Sequence, residues 1–209
     1  PTRMAFFNER TARELKKEFG SARVITAANV FAHIGNIHSV AEGIKHLLAP
    51  DGVFISESHY LLDLVATLQY DTVYHEHLRY YSLGSLGHLL SHHGLEVFHV
   101  KRIPTHGGSI RVYAAAPGQY KVRPSVGKAL ALEEKKGIAD GSALRDFRER
   151  VVRSKTDLLA LVGRLKRKGA RIYGIGAPSR ASTLINYTGL DDGLIDSVME
   201  VKTSHKVGK

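Results

Sequence analysis

Between Arg23 and Glu57 the chain reads as strand, polar loop, helix, turn and second strand, and that order leaves little choice of architecture. Arg23-Val24-Ile25-Thr26-Ala27-Ala28 is a short apolar run of the kind that a buried parallel strand shows, because such a strand is covered on both faces. The stretch from about Ile37 to Leu48 carries Val40, Ile44, Leu47 and Leu48 on one helical face and stops at Pro50-Asp51-Gly52. A second strand, Gly52-Val53-Phe54-Ile55-Ser56-Glu57, follows at once. Parallel strands cannot be joined by a tight turn, so this is a βαβ unit with the helix laid on the sheet. A further helix, Glu9 to Phe19, closed by Gly20, precedes it.

Downstream, Ser82 is placed to cap a helix that runs through Leu83, Leu86, Leu89 and Leu90 to a stop at Gly94. Leu95 to Ile103 and Ser109 to Ala115 read as strands. The glycine-bearing link Pro104-Thr105-His106-Gly107-Gly108 between them predicts a hairpin, so the parallel sheet is expected to finish in an antiparallel pair. Pro117 and Gly118 mark a boundary. From Pro124 to Lys168 the chain is charged and helix-prone, interrupted near Gly137 to Gly141. Its second half spaces Leu144, Phe147, Val151, Leu158, Leu161, Val162 and Leu165 as an amphipathic helix that packs on something. Ala170 to Gly176 then opens a strand, Ala177 to Ile185 a helix and Leu194 to Val201 another strand, a second βαβ unit that runs out at Lys209.

Hydrophobic residues at 43% and charged residues at 24% exclude a disordered or fibrous chain. No run of about 18 apolar residues occurs, and the first ten residues lack the apolar core of a signal peptide. Neither a membrane partner nor export is therefore expected. With no cysteine in the 209 residues, disulfides, zinc fingers, iron–sulfur ligation and thiol catalysis are excluded within this sequence. The net charge of +10 favours acidic partners, but half of the 30 basic residues lie between Lys121 and Arg171. The excess thus belongs to one long polar segment without interleaved aromatics, and nucleic acid is not expected as a partner.

Four constellations can carry chemistry. The densest is Tyr70-Asp71-Thr72-Val73-Tyr74-His75-Glu76-His77-Leu78-Arg79-Tyr80-Tyr81-Ser82, which follows the second strand. Ligands of open α/β sheets bind beyond the carboxyl ends of the strands, where this loop emerges. Histidine is a base near neutral pH, glutamate orients it or accepts a substrate hydroxyl, and tyrosine donates to an oxyanion. A polar surface loop with aromatic anchors is the plainer reading of the same residues. His75 and His77 also form an H-x-H pair whose side chains, in an extended segment, face one way as metal ligands do. Further ligands would have to come from His33, His38 or His106, and no metal is assigned on this evidence.

The second constellation, Ala27-Ala28-Asn29-Val30-Phe31-Ala32-His33-Ile34, ends the first strand. Its small residues admit a flat ligand, with Asn29 and His33 directed into the crevice, and ordinary strand-to-helix packing is the alternative. The third, His106-Gly107-Gly108-Ser109-Ile110-Arg111-Val112-Tyr113, offers paired glycines for a tight turn or for close approach to a ligand. The fourth, Gly174-Ile175-Gly176-Ala177-Pro178-Ser179-Arg180-Ala181, sits where a strand meets a helix and where backbone N–H groups attract phosphate. It lacks the third glycine of a dinucleotide fingerprint, and no acidic residue is expected at a strand end about 20 residues on. Arg180 suits a phosphate or carboxylate.

Together, Ala28–Ile34, Tyr74–His77, His106–Tyr113 and Tyr173–Arg180 resemble, in order, the S-adenosylmethionine-dependent C-methyltransferases of deoxysugar biosynthesis. The resemblance covers nearly the whole chain. It implies an α/β fold: residues 1–118 as the C-terminal part of a Rossmann-like class I methyltransferase domain, and residues 119–209 as linker helices with part of a second Rossmann-like domain. It implies that Ala28, Asn29 and Val30 line the S-adenosylmethionine pocket and that His33 sits beside both the transferred methyl group and the sugar. Tyr74 and Glu76 would hold the sugar and His77 would be the general base, with His106, Gly107, Arg111 and Arg180 as further substrate contacts. The implied substrate is a nucleotide-linked 4-keto-6-deoxyhexose methylated at C3, and the cofactor implies the cytoplasm. The family's cysteine-rich zinc module, upstream strand and glycine-rich loop are not in this sequence, so a fragment truncated at both ends is expected. A keto-sugar epimerase using the same base, NAD-dependent or cofactor-free, and a non-catalytic binding domain are the competing readings.

Overall fold

The computed structural model describes residues 2–205. Pro1 and residues 206–209, where the second βαβ unit was expected to run out, lie outside the described residues. The elements are α1 (Glu9–Phe19), β1 (Ala22–Ala28), α2 (Ile37–Leu47), β2 (Leu48–His59), α3 (Leu61–Ala66), α4 (Leu83–His92), β3 (Glu96–Ile103) and β4 (Ser109–Ala115), then α5 (Pro124–Lys135), α6 (Ser142–Arg167), β5 (Tyr173–Ile175), α7 (Ser179–Thr188) and β6 (Ser197–Met199). They form two compact units, Pro1–Thr67 with Leu78–Ala143 and Leu68–His77 with Leu144–Lys209.

The first unit is built on a four-stranded sheet of order β1-β2-β4-β3. β1 and β2 run parallel, and β4 lies antiparallel to both β2 and β3, so the hairpin closes an otherwise parallel sheet. The apolar stripe of α2 (Ile37, Val40, Ala41, Ile44, Leu47) and that of α4 (Leu83, Leu86, Leu90) are buried. Phe31 stacks on Phe54 at 5.6 Å between ring centres, and Tyr81 lies tilted against Phe31. The Ser82 hydroxyl caps α4 and Ser85 reciprocates, satisfying backbone N–H groups that the helix leaves unpaired.

Two expectations about the strands change. β1 is not buried: it ends the sheet order with no partner strand on its other side among the described residues, and Val24 is 59% exposed. β2 begins at Leu48, which pairs with Ala22. The Ala49-Pro50-Asp51-Gly52 turn bulges out before pairing resumes at Val24 and Val53, so the turn exists inside the strand's bounds. The turn at Gly118 is present, but the chain returns to the first unit after it. Arg123 N–H donates to the Phe98 carbonyl at 2.8 Å, and α5 buries Val126 and Glu133.

In the second unit β5 and β6 pair in parallel with α7 between them, a short βαβ unit. α6 carries its stripe as spaced, but only Val162 is fully buried; Leu144, Leu161 and Leu165 are exposed. No helix among the described residues is long and apolar enough to cross a membrane.

Candidate active site

The carboxyl ends of β1 and β2 shape one candidate site. Asn29, directly after β1, adopts a left-handed conformation (φ 54°) that a short polar side chain tolerates. Its N–H is held by the Glu57 carbonyl at 2.8 Å, which turns the chain away from the strand. The turn opens a cleft of about 790 Å³ lined by Ala27, Asn29, Val30 and His33, with Ile25 and Phe31 supplying apolar wall. Ala28, expected in the lining, is not part of it; the neighbouring β1 residues Ile25, Thr26 and Ala27 form that wall instead.

The β3–β4 turn stands beside Asn29. His106 Nε2 lies 3.5 Å from the Asn29 amide nitrogen, and the His106 ring meets His59 edge-on at 5.5 Å. The turn is tight: His106, Gly107 and Gly108 all have positive φ, and the Gly108 N–H bonds to the Thr105 carbonyl. Arg111 sits opposite Glu57 across β2 and β4 and gives its carboxylate two hydrogen bonds, of 2.9 and 2.7 Å. That contact, with a smaller one to Tyr113, holds the guanidinium above its ordinary pKa. Arg111 is therefore engaged by Glu57, an acidic partner that the sequence reading did not single out.

The second unit contains the Tyr70–His77 segment. Thr72 ends a 3-10 turn, and its carbonyl lies 3.0 Å from His77 Nδ1. Nδ1 therefore carries the proton and donates it, leaving Nε2 with the lone pair. The Tyr74 hydroxyl stands 3.3 Å from Nε2, and the two rings are 4.5 Å apart. Glu76 is half exposed and lies 3.9 Å from His75. The H-x-H pair does not form, because His75 and Glu76 occupy a turn that breaks the extended geometry it requires. Among the described residues, three histidines approach one another elsewhere, at His38, His92 and His93.

Arg180 does not await a phosphate: its Nε and Nη2 grip Asp71 at 3.0 and 2.8 Å in a two-pronged pair. Thr183 adds a hydrogen bond to the Val73 carbonyl, and Tyr70 packs edge-on against Tyr187. The N–H groups after β5 are also occupied, that of Gly176 by the Met199 carbonyl and that of Ala177 by the Glu200 carboxylate. Glu200 directly follows β6, so an acidic residue does stand at that strand end, contrary to expectation. The strand read over Leu194 to Val201 is present but shorter, Ser197–Met199, so Glu200 falls just past its end and not inside it.

The family of C-methyltransferase C-terminal domains matches residues 104–209, and a methyltransferase domain family matches residues 3–100. The chain belongs to the C-methyltransferase family. The C-methyltransferase NovU of Streptomyces niveus is 41% identical over 187 residues, covering 89% of this chain and 44% of the relative. The chain thus spans less than half the length of that relative. Among solved structures, an S-adenosylmethionine-dependent methyltransferase from Clostridium acetobutylicum aligns with a TM-score of 0.38 at 15% identity, over 47% of this chain and 59% of that one. The mitomycin 7-O-methyltransferase MmcR aligns with a TM-score of 0.40 at 17% identity, over 52% of this chain and 39% of that one. Membership accounts for the first unit as the Rossmann-like part of a class I methyltransferase domain. The cofactor of the family is S-adenosylmethionine. A cleft at the carboxyl end of a parallel strand, apolar in its walls and carrying the Asn29 amide, fits a ligand with a flat base and polar edges.

Proposed function

We propose that this chain is the substrate-handling portion of an S-adenosylmethionine-dependent C-methyltransferase that acts on C3 of a nucleotide-linked 4-keto-6-deoxy sugar. Residues 1–118 are read as methyltransferase domain, and residues 119–209 as linker helices and the start of a second Rossmann-like domain. The cytoplasm, where the cofactor is made, is its proposed compartment. Asn29, Val30 and His33 would hold the cofactor, which supplies an electrophilic methyl group when bound.

A C–H bond beside a ketone is acidic because the carbanion delocalises into an enolate. His77 is proposed to take that proton on Nε2. The observation that supports this role is its tautomer: the Thr72 carbonyl occupies Nδ1–H and leaves the basic lone pair on Nε2. Tyr74, whose hydroxyl meets Nε2, is the proposed donor to the enolate oxygen; Glu76 is proposed to hold the sugar, and His33 to lie beside the transferred methyl group. A positioned base of this kind contributes about 10²–10⁴-fold. His106 and Gly107 are proposed to border the sugar, while Arg111 and Arg180 act by way of Glu57 and Asp71.

Calorimetric titration of the chain with S-adenosylhomocysteine tests the reading. One saturable site is expected, weakened about tenfold by Asn29→Gly, which keeps the left-handed backbone and removes the amide. Absence of binding, or binding indifferent to Asn29, would remove the cofactor from this cleft.

A further inference from the structure

The histidine cluster of the first unit has no part in that chemistry. His38 and Glu42 lie one turn apart on α2, and His92 and His93 end α4. His93 is buried, and a buried imidazole needs partners on both nitrogens. Its Nδ1 is 2.7 Å from a Glu42 carboxylate oxygen, and its Nε2 is 2.9 Å from His38 Nδ1. With the Nδ1 proton donated to the carboxylate, Nε2 presents a lone pair to a second histidine. His92 closes the group, its ring 5.8 Å from that of His38 and 5.0 Å from that of His93. One ring nitrogen from each of the three lies within 4.8 Å of the others.

We infer that His38, His92 and His93 form a binding site for a divalent transition ion of the zinc class. Zinc–nitrogen bonds of about 2.0–2.1 Å in a tetrahedron put ligand nitrogens about 3.3 Å apart. The His38–His93 pair needs to open by only a few tenths of an ångström, and His92, which is exposed, can swing inward. Imidazole ligands select zinc, copper or nickel over magnesium and calcium, which prefer oxygen. Glu42 acts from behind the ligand, fixing the His93 tautomer and ring angle as carboxylates behind metal-bound histidines do. The fourth position faces a depression that His38 and His92 share with His88 and Arg79, where water completes the set. Arg79 is turned to the Ile34 and Gly35 carbonyls, which engages its charge beside the ion. Such an ion joins the start of α2 to the end of α4.

The test is calorimetric titration of the chelator-treated chain with zinc chloride, repeated with cobalt(II) to read tetrahedral coordination from its visible absorption. One saturable site is expected. His38→Ala and His92→Ala, both at exposed positions, should each weaken it by about 100-fold or more, and Glu42→Gln by about 10–100-fold. His75→Ala should leave it unchanged. Circular dichroism of each variant separates loss of the site from loss of the fold. No saturable binding, binding indifferent to His38 and His92 in folded variants, or binding lost with His75 would each overturn the assignment. In the first two cases Glu42, His93 and His38 form only a hydrogen-bonded chain.

Discussion

The carboxylate of Glu133, near the end of α5, accepts the backbone N–H of Leu83 in the first turn of α4, and its other oxygen accepts that of Gly84 at 3.0 Å. Glu133 is 3% exposed. A helix leaves its first N–H groups unpaired and carries partial positive charge at that end, so a buried carboxylate there is both bonded and charge-matched. Glu133→Ala removes both bonds at once and should cost about 2–3 kcal/mol. Urea denaturation checks this: the midpoint should fall at an unchanged slope. A loss below about 0.5 kcal/mol would mean that water takes the place of the carboxylate.

Gly108 has φ of +126°, and a Cβ placed on it would fall 2.3 Å from the Asp63 Cβ. Asp63 cannot easily retreat, since it is paired with Arg102 and mostly buried. Gly108→Ala should therefore destabilise by about 2–4 kcal/mol through strain and overlap together. Thermal unfolding reads this directly, and an unchanged midpoint would show that the β3–β4 turn relaxes without cost.

For the proposed base, His77→Asn should lower turnover on a nucleotide-linked 4-keto-6-deoxy sugar by about 10²–10⁴-fold and leave S-adenosylhomocysteine binding intact. Tyr74→Phe removes the hydroxyl at Nε2 and should lower turnover less. Retained turnover in the His77 variant would assign the proton transfer to another group.

His99 on β3 is held below its ordinary pKa of 6.5, first by burial and then by the charges of Arg123 and Lys101. The unfolded chain then binds more protons than the folded one below that value, so stability rises with pH. The contribution is intact above about pH 6.5 and is lost as the pH falls through the lower folded value. His46, depressed by burial and by Arg13 and Lys16, acts in the same direction. His99→Gln should flatten, without abolishing, the fall in Tm between about pH 7 and pH 5. An unchanged profile would assign the pH dependence to other groups.

Much of the candidate chemistry was legible as composition along the chain and illegible as pairing. The turn from Tyr70 to His77 was visible as a dense run of titratable residues, and Asn29 as a polar residue ending a strand. That His77 would be fixed by the Thr72 carbonyl, or that Glu57 would engage Arg111, was not visible. Glu57 and Arg111 are 54 residues apart, and each is unremarkable in its own strand. Arg180 stands beside a Gly-rich junction that locally suits an anion, whereas its carboxylate, Asp71, is 109 residues away.

The sequence by itself determined the elements: α1 and its Gly20 stop, the α2 stripe, the Ser82 cap and the strands around the paired glycines. Those depend on backbone periods of 3.6 and 2 and on side chains that satisfy N–H groups a few residues away, so a short window contains the cause. Tertiary structure alone decided that β4 inserts between β2 and β3, that Glu133 leaves the charged face of α5 to cap α4, and that His38 meets His93. Each depends on which elements become neighbours, and burial then makes the contact obligatory, because a carboxylate or imidazole taken out of water must find a partner wherever the fold supplies one.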